Sequence, residues 1–146
     1  MRPFALITSN TKSGHSSRSS YTKATQSSKC CGVLISNNIP SSLLTVNTPF
    51  QAIAAQIFTH KLITVCSLYL PPNIQIDMTN LNNIMLQLPE AFVILGDLNG
   101  HSQIWGSDDT NSCGRQIEKL LHDHNVCLLN TDEITHFIHL PGHFTP

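Results

Sequence analysis

The chain has 146 residues, 40% of them apolar, with a formal net charge of −1. That sets a prior of one domain with room for a real core; no apolar run is long enough for a bilayer span, and no charged segment leads into an apolar signal core, so neither a membrane protein nor a secretory precursor is expected. The near-neutral sum hides an asymmetry: residues 1–76 carry Arg2, Lys12, Arg18, Lys23, Lys29 and Lys61 but no Asp or Glu, and all nine acids lie from Asp77 onward, a basic half that can help hold a polyanion but does not alone make a nucleic-acid binder.

Residues 1–31 are rich in Ser, Thr and Lys, with few large apolar side chains, and are expected to form a tail. The composition also matches a mitochondrial transit peptide, although Pro3, Gly14 and the serine runs spoil an amphipathic helix. From Gly32 the character changes. Residues 32–36 form a short strand, and Asn37-Asn38-Ile39-Pro40 a turn. A second strand is expected over 43–46 and a third over 51–58, with Ile53, Ala55 and Ile57 on one face. A short connection, Thr59-His60-Lys61, leads to LITVCSLYL, residues 62–70, the strongest β signal in the chain. These strands in succession predict an antiparallel meander.

The period then shifts to 3.6. Asp77 is placed as an N-cap, with Met78, Leu81, Ile84, Met85 and Leu88 on one helical face and Pro89 as the stop. AFVIL, residues 91–95, reads as a strand buried on both faces. A polar loop follows to Gly106. A second helix, capped by Asn111 or Ser112, carries Ile117, Leu120, Leu121 and His124 on its apolar face and stops at Asn125. Residues 126–129 are expected to be one more buried strand, and the tail after Thr135 can start another near Phe137. The order predicts an α/β domain with a mixed sheet.

The chemistry concentrates in the loop after AFVIL, at the strand's carboxyl end, where open α/β sheets bind ligands. Asp97 and Asn99 stand two apart and point the same way if the chain stays extended. A carboxylate beside an amide suits positioning a water against a phosphate, and His101 adds a donor. The alternative is an Asx turn in which both side chains satisfy local backbone groups. Tyr69, just before the Pro71-Pro72 stop, either reaches a phosphate or snorkels from the sheet edge. Trp105 is either a DNA-stacking side chain or a core anchor covering the loop.

The five cysteines are odd in number and show no CxxC spacing, which favours a reducing intracellular compartment without disulfides. Of the eight histidines, His122 and His124 splay apart on a helix, His136, His139 and His143 cluster near the end, and none has a cysteine partner at zinc-finger spacing.

Taken together, GVLISNNIPSS, ITVCSLYLPPN, the helix ending QLP, FVILGDLNGHSQIWGS, TNSCGRQIEKLLHDHNVCLLN and THF resemble, in order, the endonuclease domain of jockey-type non-LTR retrotransposons. That domain belongs to the endonuclease/exonuclease/phosphatase superfamily with the apurinic-endonuclease and DNase I enzymes. The resemblance covers about residues 32–140. It implies a DNase I-like four-layered α/β sandwich, two mixed β-sheets flanked by helices, that nicks target DNA with Mg²⁺ ahead of reverse transcription. It implies DNA as partner, no membrane, no small-molecule cofactor, and a nuclear origin. Carried over, Asp97 is similar to the family's Asp that orients or deprotonates the attacking water, Asn99 to its phosphate-site Asn, and Tyr69 to the tyrosine contacting the scissile phosphate. The Asn of that tyrosine segment falls at Pro72 here, which makes neighbouring Asn73 the substrate-binding candidate. His101, Ser102 and Trp105 match the transposon form of the loop and are assigned to substrate binding.

The departures are equally specific. Residues 1–31 contain neither the family's Asn-bearing first strand nor the metal-binding Glu of its QET-like motif. The chain stops at GHFTP, where the family pattern continues through an S-x-x-D strand to an Asp-His pair. The expectation is therefore an incomplete domain over 32–146, truncated at both ends, marginal in folding and weak or inactive alone, with its metal ligands unknown. The alternatives are a non-catalytic DNA-binding or interaction remnant of the same fold, and another phosphoesterase of the superfamily.

Overall fold

The computed structural model of the chain describes residues 6–7, 21–25, 31–72 and 75–129. In chain order the elements are β1 (Leu6–Ile7), β2 (Tyr21–Thr25), β3 (Gly32–Ser36), β4 (Ser41–Leu44), β5 (Gln51–Phe58), β6 (Leu62–Tyr69), α1 (Met78–Gln87), β7 (Phe92–Leu95), a 3-10 turn at Gln103–Trp105 and α2 (Ser112–Asp123).

The hairpin of β5 and β6 is the frame. It is antiparallel over eight pairs, from Gln51 opposite Tyr69 to Phe58 opposite Leu62. Period-two alternation sends Ala52 and Ala54, with their partners Leu68 and Cys66, to one face, and Ile53 to the other. β4 pairs antiparallel with β5, β7 parallel with β6, and β1 parallel with β7. The five-stranded sheet therefore runs β1-β7-β6-β5-β4 and is mixed. β2 and β3 form a separate antiparallel ribbon. A small cluster of Cys31 and Ile53, with Val33 and Tyr69 against it, lies between that ribbon and the larger sheet.

Both helices cover the opposite face. Asp77 caps α1 by accepting from the Thr79 N–H at 2.9 Å, and Leu81, Ile84, Met85 and Leu88 are buried against Cys66, Leu68 and Ile94. Each such side chain contributes about 1.5–3 kcal/mol by leaving water. Gln87 ties the helix end to the β4–β5 connection: it accepts from Asn47 N–H at 2.7 Å and donates to Asn47 O at 2.9 Å. Asn111 caps α2, and Ile117 and Leu120 are buried in the same core. His124 meets Asn82 across the two helices at 3.0 Å. Asn125, at φ 51°, ends the helix in the left-handed conformation that Asn tolerates.

Four expectations change. Within the segment expected as a tail, residues 6–7 and 21–25 form β1 and β2; YTKAT carries the β-formers Tyr21, Thr22 and Thr25 and has GVLIS to pair with. The meander loses β3, which pairs with β2 in the other sheet, because the turn at 37–40 swings the chain between sheets. The second strand begins at Ser41 rather than at residue 43. Residues 126–129 form no strand: Val126 and Leu128 pack half-buried on the core, while Cys127 and Leu129 are exposed and make no ladder among the described residues. The strand and histidine cluster expected after residue 130 lie outside the described residues.

Candidate active site

The site forms where β6 and β7 end side by side. Gly96 terminates β7 at φ 142°, and a Cβ there would sit 1.8 Å from the Leu68 carbonyl oxygen, so only glycine lets the two strands stay in contact. Past it, Leu70 N–H donates to Asp97 O at 3.0 Å, extending the parallel ladder. The Asn99 carboxamide then donates to Leu70 O at 2.8 Å. These two bonds hold Tyr69-Leu70 against Asp97-Leu98-Asn99, although the pairs lie almost thirty residues apart in sequence.

The chain does not stay extended between Asp97 and Asn99. Asn99 turns into the left-handed region at φ 48°, and its N–H donates to Asp97 Oδ1 at 3.1 Å. The Asx turn weighed as the alternative reading is present. Asp97 is half-buried and keeps a second carboxylate oxygen with no hydrogen-bond partner among the described residues. Asn99 keeps its carboxamide oxygen and one N–H. Leu98, between them, is buried in the core, and its carbonyl accepts from the Cys113 thiol at 3.1 Å. Burial pushes that thiol up to about 11, so it stays a neutral donor.

The remaining loop residues divide. His101 is exposed, with Nδ1 3.2 Å from Asp109 Oδ1. Ser102 is fully buried: its hydroxyl donates to Glu118 on α2 and accepts from Ile104 N–H at 3.0 Å, capping the 3-10 turn. Trp105 is half-buried against the core and donates from its indole nitrogen to Gly100 O at 2.9 Å. Ser102 and Trp105 are thus engaged inside the loop, Asp97, Asn99 and His101 are held at its edge, and Tyr69 packs against Cys31 and Ile53 at the end of the adjoining strand. Asn73 lies outside the described residues.

Sequence reasoning read Asn111 only as a helix cap, not as a clamp on this loop, and did not single out Gly114, Glu118 or Gly96. Gly114 carries α2 so close to the loop that a Cβ would fall 1.7 Å from His101 O. The visible signal was the Asn-x-x-Gly spacing at the start of α2.

Chemically, a half-buried carboxylate beside a fixed carboxamide can orient a water or a phosphate oxygen. Their oxygens are the hard donors that Mg²⁺ prefers, but among the described residues no three His, Cys, Asp or Glu side chains gather into a metal-holding group. Nor is any described helix long and apolar enough to cross a membrane.

Comparison with known proteins bears on the family and the fold. Residues 63–142, more than half of the chain, match the family model described as endonuclease-reverse transcriptase. The fold is similar to a solved structure, the endonuclease domain of TRAS1, a telomere-specific non-LTR retrotransposon, with a TM-score of 0.61 at 21% identity. The match covers 69% of this chain and 49% of that one, so the chain spans about half the length of that structure. The DNase I-like α/β class is thereby shown, with a helical layer and two sheets among the described residues. No curated protein sequence matches the chain.

Proposed function

The chain belongs to the endonuclease-reverse transcriptase family, and from that premise we propose that the β6–β7 edge is a phosphodiester-binding edge of a DNA-nicking endonuclease domain. The observation that supports this is the pair of bonds through Leu70, which ties the chain just after Tyr69 to Asp97 and Asn99 at the carboxyl end of the sheet.

In this proposal Asp97 holds the attacking water and takes its proton, Asn99 orients a phosphate oxygen through its remaining N–H, and the Tyr69 hydroxyl donates to another. His101 contacts the neighbouring phosphate. Ser102 and Trp105 act on the substrate indirectly, by keeping the loop in shape, and Asn73 is assigned to the substrate by resemblance alone. Magnesium would neutralise charge developing on the phosphate. Because the described donors stop at one carboxylate and one amide, we assign no step to it and expect weak Mg²⁺ binding and weak or no nicking by the isolated chain.

Supercoiled plasmid incubated with the purified chain and Mg²⁺ tests this. Little or no relaxation is expected, alongside measurable, salt-sensitive binding of duplex DNA. Robust nicking that Asp97→Ala abolishes would overturn the weak-activity expectation, and no DNA binding at low salt would overturn the DNA assignment. A second reading, a non-catalytic DNA-binding module of this fold, predicts binding that Asp97→Ala leaves intact and no nicking at any Mg²⁺ concentration.

A further inference from the structure

Asn111 makes more contacts with the site loop than helix capping requires. Its Oδ1 accepts two N–H groups, from Gly114 at 2.7 Å and from His101 at 3.1 Å. Its Nδ2 donates to Asn99 O at 3.2 Å. Its backbone N–H donates to His101 O at 3.1 Å, and its own carbonyl receives Arg115 N–H at 3.1 Å. Two of these bonds, from the Gly114 and Arg115 N–H groups, belong to ordinary helix capping. The bonds to Asn99 and His101 reach back across the loop to two of the four site residues.

The bond to Asn99 matters because of that residue's backbone. At φ 48° Asn99 is in the left-handed region, which Asn enters more readily than other non-glycine residues but still leaves easily, so its hydrogen bonds decide how firmly it is held there. Asn99 is restrained at three points: its N–H by Asp97 Oδ1, its carboxamide by Leu70 O, and its carbonyl by Asn111 Nδ2. The first two belong to the site itself. Only the third comes from a separate element, α2, and that helix is pressed onto the loop at Gly114 and fastened again by Glu118 to Ser102.

We infer that Asn111 is the positioning residue of the site, fixing the Asn99 backbone so that its carboxamide stays aimed at the phosphate position. The inference rests on the phosphodiester-binding reading for its functional consequence, but its structural part stands independently. It also separates capping from positioning chemically. A carboxylate at residue 111 keeps both acceptor functions and remains a good N-cap, yet it has no N–H to give Asn99 O and sets an oxygen against it.

The test is Asn111→Asp, with Ser112→Asp as a control that adds the same charge at the exposed neighbouring position without contacting Asn99. Amide exchange and backbone carbon shifts of Asn99 are read by NMR on the full chain, and duplex DNA binding is measured in parallel. Asn111→Asp is expected to leave the thermal midpoint close to wild type, to speed exchange of the Asn99 N–H about tenfold, and to move its carbon shifts away from the left-handed pattern. DNA affinity should fall several-fold more than in Ser112→Asp. Unchanged Asn99 exchange and shifts in a folded Asn111→Asp would overturn the inference. If Asn111→Asp fails to fold, Asn111→Ser, a neutral cap too short to bridge to Asn99, supplies the same NMR readout with the same two outcomes. Wild-type protein that does not bind DNA, combined with a loosened Asn99 in the variant, would defeat the DNA reading while leaving Asn111 as the residue that positions the loop.

Discussion

The Asn99 carboxamide donates to the Leu70 carbonyl at 2.8 Å, joining the loop after β7 to the end of β6. Leu70 is completely buried, so this bond both satisfies a carbonyl shut off from water and sets the distance between the two halves of the site.

Asn99→Ala strands that carbonyl and places a Cβ-bearing residue without a compensating side chain at positive φ. A loss of about 2–4 kcal/mol is expected from the two effects together. Asn99→Gly removes the same hydrogen bond but relaxes the backbone, so it should be about 1 kcal/mol less costly. Urea denaturation of the two variants checks the order; an Ala variant at least as stable as the Gly variant contradicts it.

Ser102→Ala deprives the Glu118 carboxylate and the Ile104 N–H of a shared partner in a buried position. It should destabilise the chain by about 1–3 kcal/mol. Glu118→Gln keeps an acceptor for the Ser102 hydroxyl and should cost less. Thermal midpoints of the two variants decide; equal shifts would mean that the charge, not the hydroxyl, is what matters.

Gly96→Ala is expected to be the most damaging single methyl in the site region. The new Cβ would overlap the Leu68 carbonyl, and φ 142° is accessible essentially only to glycine. Separation of β6 from β7 should follow, read as loss of the soluble, cooperatively unfolding form. A variant with wild-type stability would refute the close strand approach.

The buried thiols give a pH dependence with a defined sign. Burial, reinforced by neighbouring Cys31, pushes Cys66 up to about 12 from an ordinary 9.0. The unfolded chain therefore releases this proton first, so the contribution to stability is complete below about pH 9 and declines as pH rises toward 12. Unfolding free energy should fall between pH 9 and 10.5, and less steeply in Cys66→Val. An identical slope in that variant would assign the loss to other groups. At pH 8, alkylation should label exposed Cys127 well before Cys66 or Cys113.

Much of this protein is determined locally and was legible in the residues. The eight-residue strands β5 and β6 and the two capped helices follow from apolar period and cap chemistry, which depend on neighbours a few positions away. The GDLN segment was recognisable for the same reason: its residues are contiguous. What the sequence could not determine depends on partners distant along the chain. YTKAT is a strand because GVLIS lies beside it, and residues 126–129 are not one because no ladder partner meets them. Ser102 and Trp105, polar and aromatic in the same loop as Asp97, were indistinguishable from substrate contacts until Glu118 and Gly100 were found to occupy them. Asn111 read as a cap, since a cap is a local property; its hold on Asn99 exists only because α2 folds back across the end of the sheet.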